Sequence, residues 1–233
     1  MKLETVLLGN RYKFSSIKEV LAKANEKKSG DSLAGIAAAN AKERIAAKEV
    51  LSDLTVEEIT AEPAVPANED AVTRIILGDL DTKEYDKIKS LTIGELREAI
   101  LDNMISGDEI LKKARGMTSE VIAALAKLMG NLDLMYVSRK LHIEATCNTT
   151  IGKKGTFAVR LQPNHPTDNV KGVTASLLEG LSYGAGDAVL GLNPAIDNVK
   201  STTDILNLFN DVKSRLKIPT QICVLSHITT QLK

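Results

Sequence analysis

The sequence predicts an α/β protein in two parts: a mostly helical region over residues 1–150, then strands alternating with helices over residues 151–233. Three observations lead there. At four places in the first part a hydroxyl residue stands three positions ahead of an acid, the spacing of a helix capping box. In the second part, short apolar runs alternate with stripes of helical period, the pattern of βαβ units and a parallel sheet. Those runs are apolar at successive positions, as strands buried on both faces are.

Taken in order, residues 3–8 read as extended, Gly9-Asn10 as a turn and residues 11–14 as the return strand of a short hairpin. Helix starts follow at Ser16 with Glu19, Thr55 with Glu58, Thr92 with Glu95 and Ser106 with Glu109. In each, the hydroxyl can accept from a free first-turn N–H while the acid reaches back to the cap N–H. Residues 31–51 are rich in Ala mixed with Lys, Arg and Glu, which favours helix by propensity. Pro63 and Pro66 break the pattern and read as a linker. Val121, Ile122, Leu125, Leu128 and Met129 form the apolar face of a further helix.

From about residue 151 the period changes. Residues 155–162 (GTFAVRLQ) read as a first strand, 187–193 (DAVLGLN) as a second and 220–225 (TQICVL) as a third. Between them, Val173, Leu177, Leu178 and Leu181 recur at helical spacing, as do Ile205, Leu208, Phe209, Val212 and Leu216 behind a Ser201/Asp204 cap. The sequence stops at Lys233 with the next helix missing, and a three-stranded parallel unit leaves an unpaired apolar edge. The expectation is a piece of a longer barrel or sheet truncated after the third strand, or a unit that a partner chain completes.

Composition excludes several functions. Formal net charge is +0, which gives no global electrostatic case for nucleic acid or an anionic membrane as partner. Aromatics make up 3% of residues and Trp is absent, so a base-stacking platform is not expected. Cys147 and Cys223 lie far apart without CxxC spacing and read as reduced structural thiols. The amino terminus carries no apolar segment of signal-peptide length and no run is long enough to span a bilayer, so a cytoplasmic protein is expected. His142, His165 and His227 lack metal-ligand spacing, and no metal site is expected.

Ligands of βα barrels and open α/β sheets bind at the carboxyl ends of the strands. That rule selects Arg160 and Gln162, followed by Pro163 and Asn164, on the first strand; Asn193 and Pro194 on the second; Ser226 and His227 on the third. Arg160 interrupts an apolar strand where an unpaired guanidinium is costly, so either an internal carboxylate or a polar ligand must meet its donors. Gln162 has the same parity along the strand and faces the same way. Asn193 is either a third member of this set or a loop-initiating Asn. Gly184-Ala185-Gly186 precedes a strand instead of following one, the wrong order for a dinucleotide loop. Gly152-Lys153-Lys154-Gly155 lacks Walker spacing and reads as a solvated turn.

The runs NTTIGKKGTFAVRLQPN (148–164), EGLSYGAGDAVLGLNP (179–194) and IPTQICVLSHITTQ (218–231) resemble the large subunit of ethanolamine ammonia-lyase. So do residues 18–52 and 116–128, and the resemblance covers essentially the whole chain. It implies a TIM-type (β/α)8 barrel preceded by a mostly helical region, with the first three βα units present in this sequence. It also implies adenosylcobalamin, held over the barrel mouth against a small partner subunit in a hetero-oligomer. The implied reaction converts ethanolamine to acetaldehyde and ammonia by radical chemistry, which the cofactor starts and the protein orients and shields. Carried over by motif, Arg160 donates to the substrate hydroxyl, Gln162 and Asn193 accept from its amine, and Pro194 contacts the cobalamin. The family context adds residence in a bacterial microcompartment.

The departure from the family is length. Its large subunit is roughly twice as long, and the remaining half is expected to supply further strands and the acidic residues that complete the substrate site. The chain alone is therefore expected to lack ammonia-lyase activity. Two alternatives stay open. One is a non-catalytic truncated relative, or a fragment, that keeps only assembly surfaces. The other, an unrelated phosphate-binding barrel enzyme, is disfavoured because no glycine-rich loop follows any of the three strands.

Overall fold

A tight antiparallel pair opens the chain. In the computed structural model, which describes residues 2–233, β1 (Glu4–Leu7) pairs with β2 (Asn10–Lys13), Glu4 opposite Lys13 and Leu7 opposite Asn10. The turn residues are Leu8 and Gly9, at φ 50° and 77°, one position earlier than the Gly9-Asn10 turn expected. Two successive residues at positive φ suit the right-handed twist of a hairpin. Gly9 takes that conformation freely, whereas Leu8 does so against its own Cβ. Asn10 begins the return strand, and its side-chain amide donates to the Leu8 carbonyl (3.3 Å).

Helices follow in close succession: α1 (Ile17–Lys23), α2 (Ser29–Leu33), α3 (Ala41–Asp53), α4 (Val56–Ala61), α5 (Ala71–Gly78), α6 (Thr82–Ile88), α7 (Ile93–Leu101), α8 (Gly107–Ala114), α9 (Ser119–Leu128) and α10 (Asn131–Lys140). Thr55/Glu58, Thr92/Glu95 and Ser106/Glu109 form reciprocal capping boxes that start α4, α7 and α8. Each satisfies two otherwise orphaned donors, and such a cap contributes about 1 kcal/mol. Ser16 also caps α1, but Glu19 turns to the Ser15 N–H (2.7 Å) and hydroxyl (2.6 Å), so that box is not closed. The Ala-rich stretch is two helices and not one. Gly35 at φ 71° ends the first, and Asn40 starts the second by accepting from the Glu43 N–H (3.0 Å). Pro63 and Pro66 lie in the loop between α4 and α5.

One core unites this part. Ala46, Ala47, Val50 and Leu51 of α3 pack with Ile17 and Val20 of α1, Ile93 and Leu96 of α7, and Val121 and Ala124 of α9. The two alanines let helices approach closely. Ile122, expected on the apolar face of α9, is 48% exposed. Asp133 of α10 holds Arg97 of α7 at 2.6 Å. That guanidinium, followed by the Gly130 N–H, keeps the Asp133 carboxyl below the ordinary carboxylate value. The ionised form is thus favoured in the folded state. Its contribution is complete above the unfolded value of about 3.9 and is lost as pH falls through the lowered folded value. Asp133→Asn is expected to lower the urea midpoint at about pH 7 and to lower it by less at about pH 3, below the unfolded value. Equal differences at both pH values would remove the electrostatic explanation.

The chain divides into two compact units, one up to His142 and the other Ile143–Lys233. The division falls ahead of residue 150 because the β3 (Ala145–Thr146) and β4 (Thr150–Ile151) hairpin is tied to strands that come much later. Between its strands, the Asn148 side chain donates to the Thr220 carbonyl (2.8 Å), and the Asn148 and Thr149 N–H groups donate to the Gln221 amide oxygen (3.2 and 3.3 Å).

The rest of this unit is β5 (Arg160–Leu161), α11 (Val170–Ser182), β6 (Val189–Leu192), α12 (Val199–Arg215), β7 (Ile222–Val224) and α13 (Ile228–Gln231). The three strands are parallel in the order β5-β6-β7, with Leu161 opposite Leu190 and Leu192 opposite Val224. Helices α11 and α12 connect them and bury Val173, Leu177, Ile205, Phe209 and Val212 against Leu161, Leu190, Leu192 and Ile222. The fold is mixed α/β, and the sheet is open, with no closed barrel among the described residues. The first strand is much shorter than the 155–162 run expected. It is a sheet edge with one neighbour, and Phe157, expected to be interior, is 97% exposed. Helix α12 begins earlier than the Ser201/Asp204 cap predicts, because Asn198 accepts from the Ser201 N–H (2.9 Å). A short α13 follows the third strand, where the sequence reading placed no helix.

Candidate functional site

Strand parity separates two faces of the parallel sheet. Leu161, Leu190, Leu192 and Ile222 point toward the helices. Arg160, Gly191 and Cys223 therefore lie on the other face, and Gln162 and Asn193 are the residues that follow β5 and β6.

Arg160 and Gly191 are fitted to each other. A Cβ added to Gly191 would lie 2.6 Å from Nη2, 2.8 Å from Cζ and 2.9 Å from Nε of Arg160. The guanidinium thus rests on the bare backbone of the neighbouring strand. A glycine inside an apolar strand commonly marks such a close approach, and the VLGL run carried that signal in the sequence. Among the described residues no carboxylate or other acceptor meets the guanidinium. The internal salt bridge weighed for Arg160 is therefore not formed within these residues, and its donors face outward from the sheet.

Gln162 is exposed, and its backbone carbonyl accepts from the Asn164 N–H (2.9 Å), which turns the chain at the end of β5. Its side-chain amide has no partner among the described residues. The Asn193 side chain is likewise exposed, while its N–H donates to the Asn164 side-chain oxygen (3.2 Å). Pro194 is half-buried beside it. Arg160 stands opposite Val189, the first residue of β6, and its guanidinium reaches along to Gly191, whereas Gln162 and Asn193 follow the last residues of β5 and β6; no hydrogen bond joins the three side chains. A guanidinium supplies donors only, and two carboxamides supply carbonyl acceptors.

The residues that hold the segments after these strands carry no signal of that role in the sequence. Asp168 is buried and accepts from the Ala195 N–H (2.9 Å), the Ile196 N–H (2.6 Å) and the Ser201 hydroxyl (3.2 Å). Asp197 accepts from the His227 N–H (2.7 Å) and ties the segment after β6 to the one after β7. His165 and His227 serve their own loops: His165 Nδ1 accepts from the Thr167 N–H (3.3 Å), and His227 caps α13. Gly184 and Gly186, at φ 77° and 100°, form the turn between α11 and β6, on the opposite end of the strand.

The model of the ethanolamine ammonia lyase large subunit family matches residues 12–233. The chain belongs to this family. It is 50% identical over all 233 residues to the ethanolamine ammonia-lyase large subunit of Salmonella typhimurium and 49% identical to that of Escherichia coli. Each alignment takes in 100% of this chain and 51% of the relative, so the chain spans about half the length of the curated relatives it matches. In this ethanolamine ammonia-lyase family member the RLQ and LNP runs thus lie on two adjacent strands of a parallel sheet and the residues that follow them.

Proposed function

We propose that this chain forms part of the catalytic large subunit of an adenosylcobalamin-dependent ethanolamine ammonia-lyase, and that its three-stranded sheet is the first arc of a (β/α)8 barrel. The observation that carries the reading is the Arg160 guanidinium, laid across Gly191 with its donors unclaimed, on a parallel sheet of the kind whose ligands bind beyond the carboxyl ends of the strands. Family membership supports the lyase assignment. The open sheet edges support completion by further strands.

In this reading Arg160 donates to the hydroxyl oxygen of ethanolamine. Being cationic, it is not the ammonium's partner; Gln162 and Asn193 accept from the amine through their side-chain carbonyls. The rim also suits a large, amide-edged macrocycle. Leu225 and Ile228 are 67% and 62% exposed near the end of β7, and Leu225 bonds across to Leu192, next to the exposed Asn193 and to Pro194. Pro194 would contact the cobalamin. When bound, that cofactor supplies the radical that begins hydrogen abstraction from the substrate. This chain's own residues orient the substrate and hold its two polar ends. A small subunit on the mouth would complete the enclosure in a hetero-oligomer. The location proposed is the cytoplasm, with a bacterial microcompartment as its site there. Among the described residues no helix is long and apolar enough to cross a membrane.

The test uses a complete large subunit carrying this segment, assembled with the small subunit and adenosylcobalamin. Asn193→Ala removes an acceptor for a charged donor, a bond worth about 1.5–3 kcal/mol, so KM for ethanolamine is expected to rise roughly 10- to 100-fold. An unchanged KM would remove Asn193 from the substrate site.

A further inference from the structure

Asp168 carries more hydrogen bonds than local structure requires. It sits immediately before the first turn of α11 at φ 51°, a left-handed conformation uncommon for a residue with a side chain. The residue is 7% exposed, and its carboxylate takes three donors, all from residues 27–33 positions later in the chain. Neither adjoining helix needs it as a cap. Asn169 already caps α11 by accepting from the Gly172 N–H (3.1 Å), and Asn198 caps α12. What Asp168 alone supplies is a hold on the two N–H groups that follow Pro194, which has none of its own.

We propose that Asp168 is a positioning residue for substrate binding: its carboxylate fixes the Asn193–Pro194 segment against the β5 end, and so sets the spacing between Asn193 and the pair Arg160 and Gln162. Asn164 contributes to the same hold through the Asn193 N–H. Three backbone N–H groups of the 193–196 segment are thereby tied to the loop that follows Arg160 and Gln162. The proposal rests on the reading that Asn193 binds the amine of ethanolamine.

The test is a double-mutant cycle in the complete large subunit with its small subunit and adenosylcobalamin. Asp168→Asn keeps one acceptor oxygen and sets an NH2 group against a backbone N–H. It is expected to raise KM for ethanolamine about 10-fold, as loss of a charge-assisted hydrogen bond does, with a smaller change in kcat. If Asp168 acts through Asn193, adding Asp168→Asn to Asn193→Ala raises KM little further. A merely structural role would lower thermal stability without that non-additivity. If Asn193→Ala raises KM but Asp168→Asn leaves it unchanged, or adds its full effect in the double variant, the positioning role is overturned and the substrate reading stands. If Asn193→Ala itself leaves KM unchanged, the substrate reading fails and the proposal falls with it. Should Asp168→Asn not assemble, Ser201→Ala removes one of the three donors. A rise in KM of about 2- to 3-fold that vanishes in the Asn193→Ala background supports the role. No rise, or an additive one, overturns it.

Discussion

Arg160→Ala, made in a complete large subunit, is expected to fold and assemble normally and to lose ethanolamine turnover by about 10²–10³-fold, the cost of removing a donor aimed at developing charge. The structure separates the two outcomes. Arg160 is exposed on an edge strand and its guanidinium carries no internal ion pair among the described residues, so truncation opens no core cavity and strands no buried acid. The melting temperature should therefore stay close to that of the unsubstituted protein while acetaldehyde release nearly stops. Arg160→Lys is a poor substitute, because a point charge on a flexible stem does not reproduce a flat fork lying on the strand. Turnover like that of the unsubstituted enzyme in Arg160→Ala would refute the assigned role.

Gly191→Ala is expected to reproduce part of that loss from the neighbouring strand. The three atoms nearest the added Cβ all belong to the Arg160 guanidinium, the nearest at 2.6 Å. The backbone at Gly191 is not left-handed, so alanine fits the strand and the movable side chain gives way. A displacement of about 1 Å at a positioning group can cost 10²-fold, and a loss of about 10- to 100-fold in kcat/KM is expected with the fold intact. In an Arg160→Ala background the same substitution should do almost nothing, because the group it displaces is gone. Kinetics unchanged by Gly191→Ala, or an equal loss in both backgrounds, would break the link between the two residues.

Periodicity made α9, α11, α12 and the order of the three parallel strands legible, whereas α5, α6, α10 and the β3–β4 hairpin carried no comparable signal. Capping-box spacing marked the starts of α4, α7 and α8, and apolar runs marked β6 and β7, because these signals are local. The lengths were harder to read. Residues 155–159 are apolar enough to suggest strand, yet only Arg160 and Leu161 are laddered, because strand length depends on the neighbour available and β6 begins only at Val189. The turn at Leu8-Gly9 was misplaced by one residue because Asn10 is as good a turn former as Gly9.

The candidate site residues follow from position and parity in the sequence, and the ladder register itself covers only Arg160 among them. What holds them did not show. Asp168 reads in sequence as one more polar residue ahead of a helix, since its partners are 27–33 residues away and nothing local announces them. Gly191 did carry a local signal: a glycine within an apolar strand, next to a strand with an arginine of matching parity, is itself a sign of close approach.

The central claim is that Arg160, Gln162 and Asn193 hold the two ends of ethanolamine at one end of this sheet. The most direct measurement is a structure of the complete large and small subunits with adenosylcobalamin and ethanolamine bound. The account predicts the hydroxyl oxygen within about 2.7–3.2 Å of an Arg160 nitrogen and the amine at a similar distance from the Gln162 and Asn193 side-chain oxygens. Ethanolamine bound elsewhere, with the Arg160 guanidinium closed in a salt bridge to a carboxylate of the protein, would contradict it.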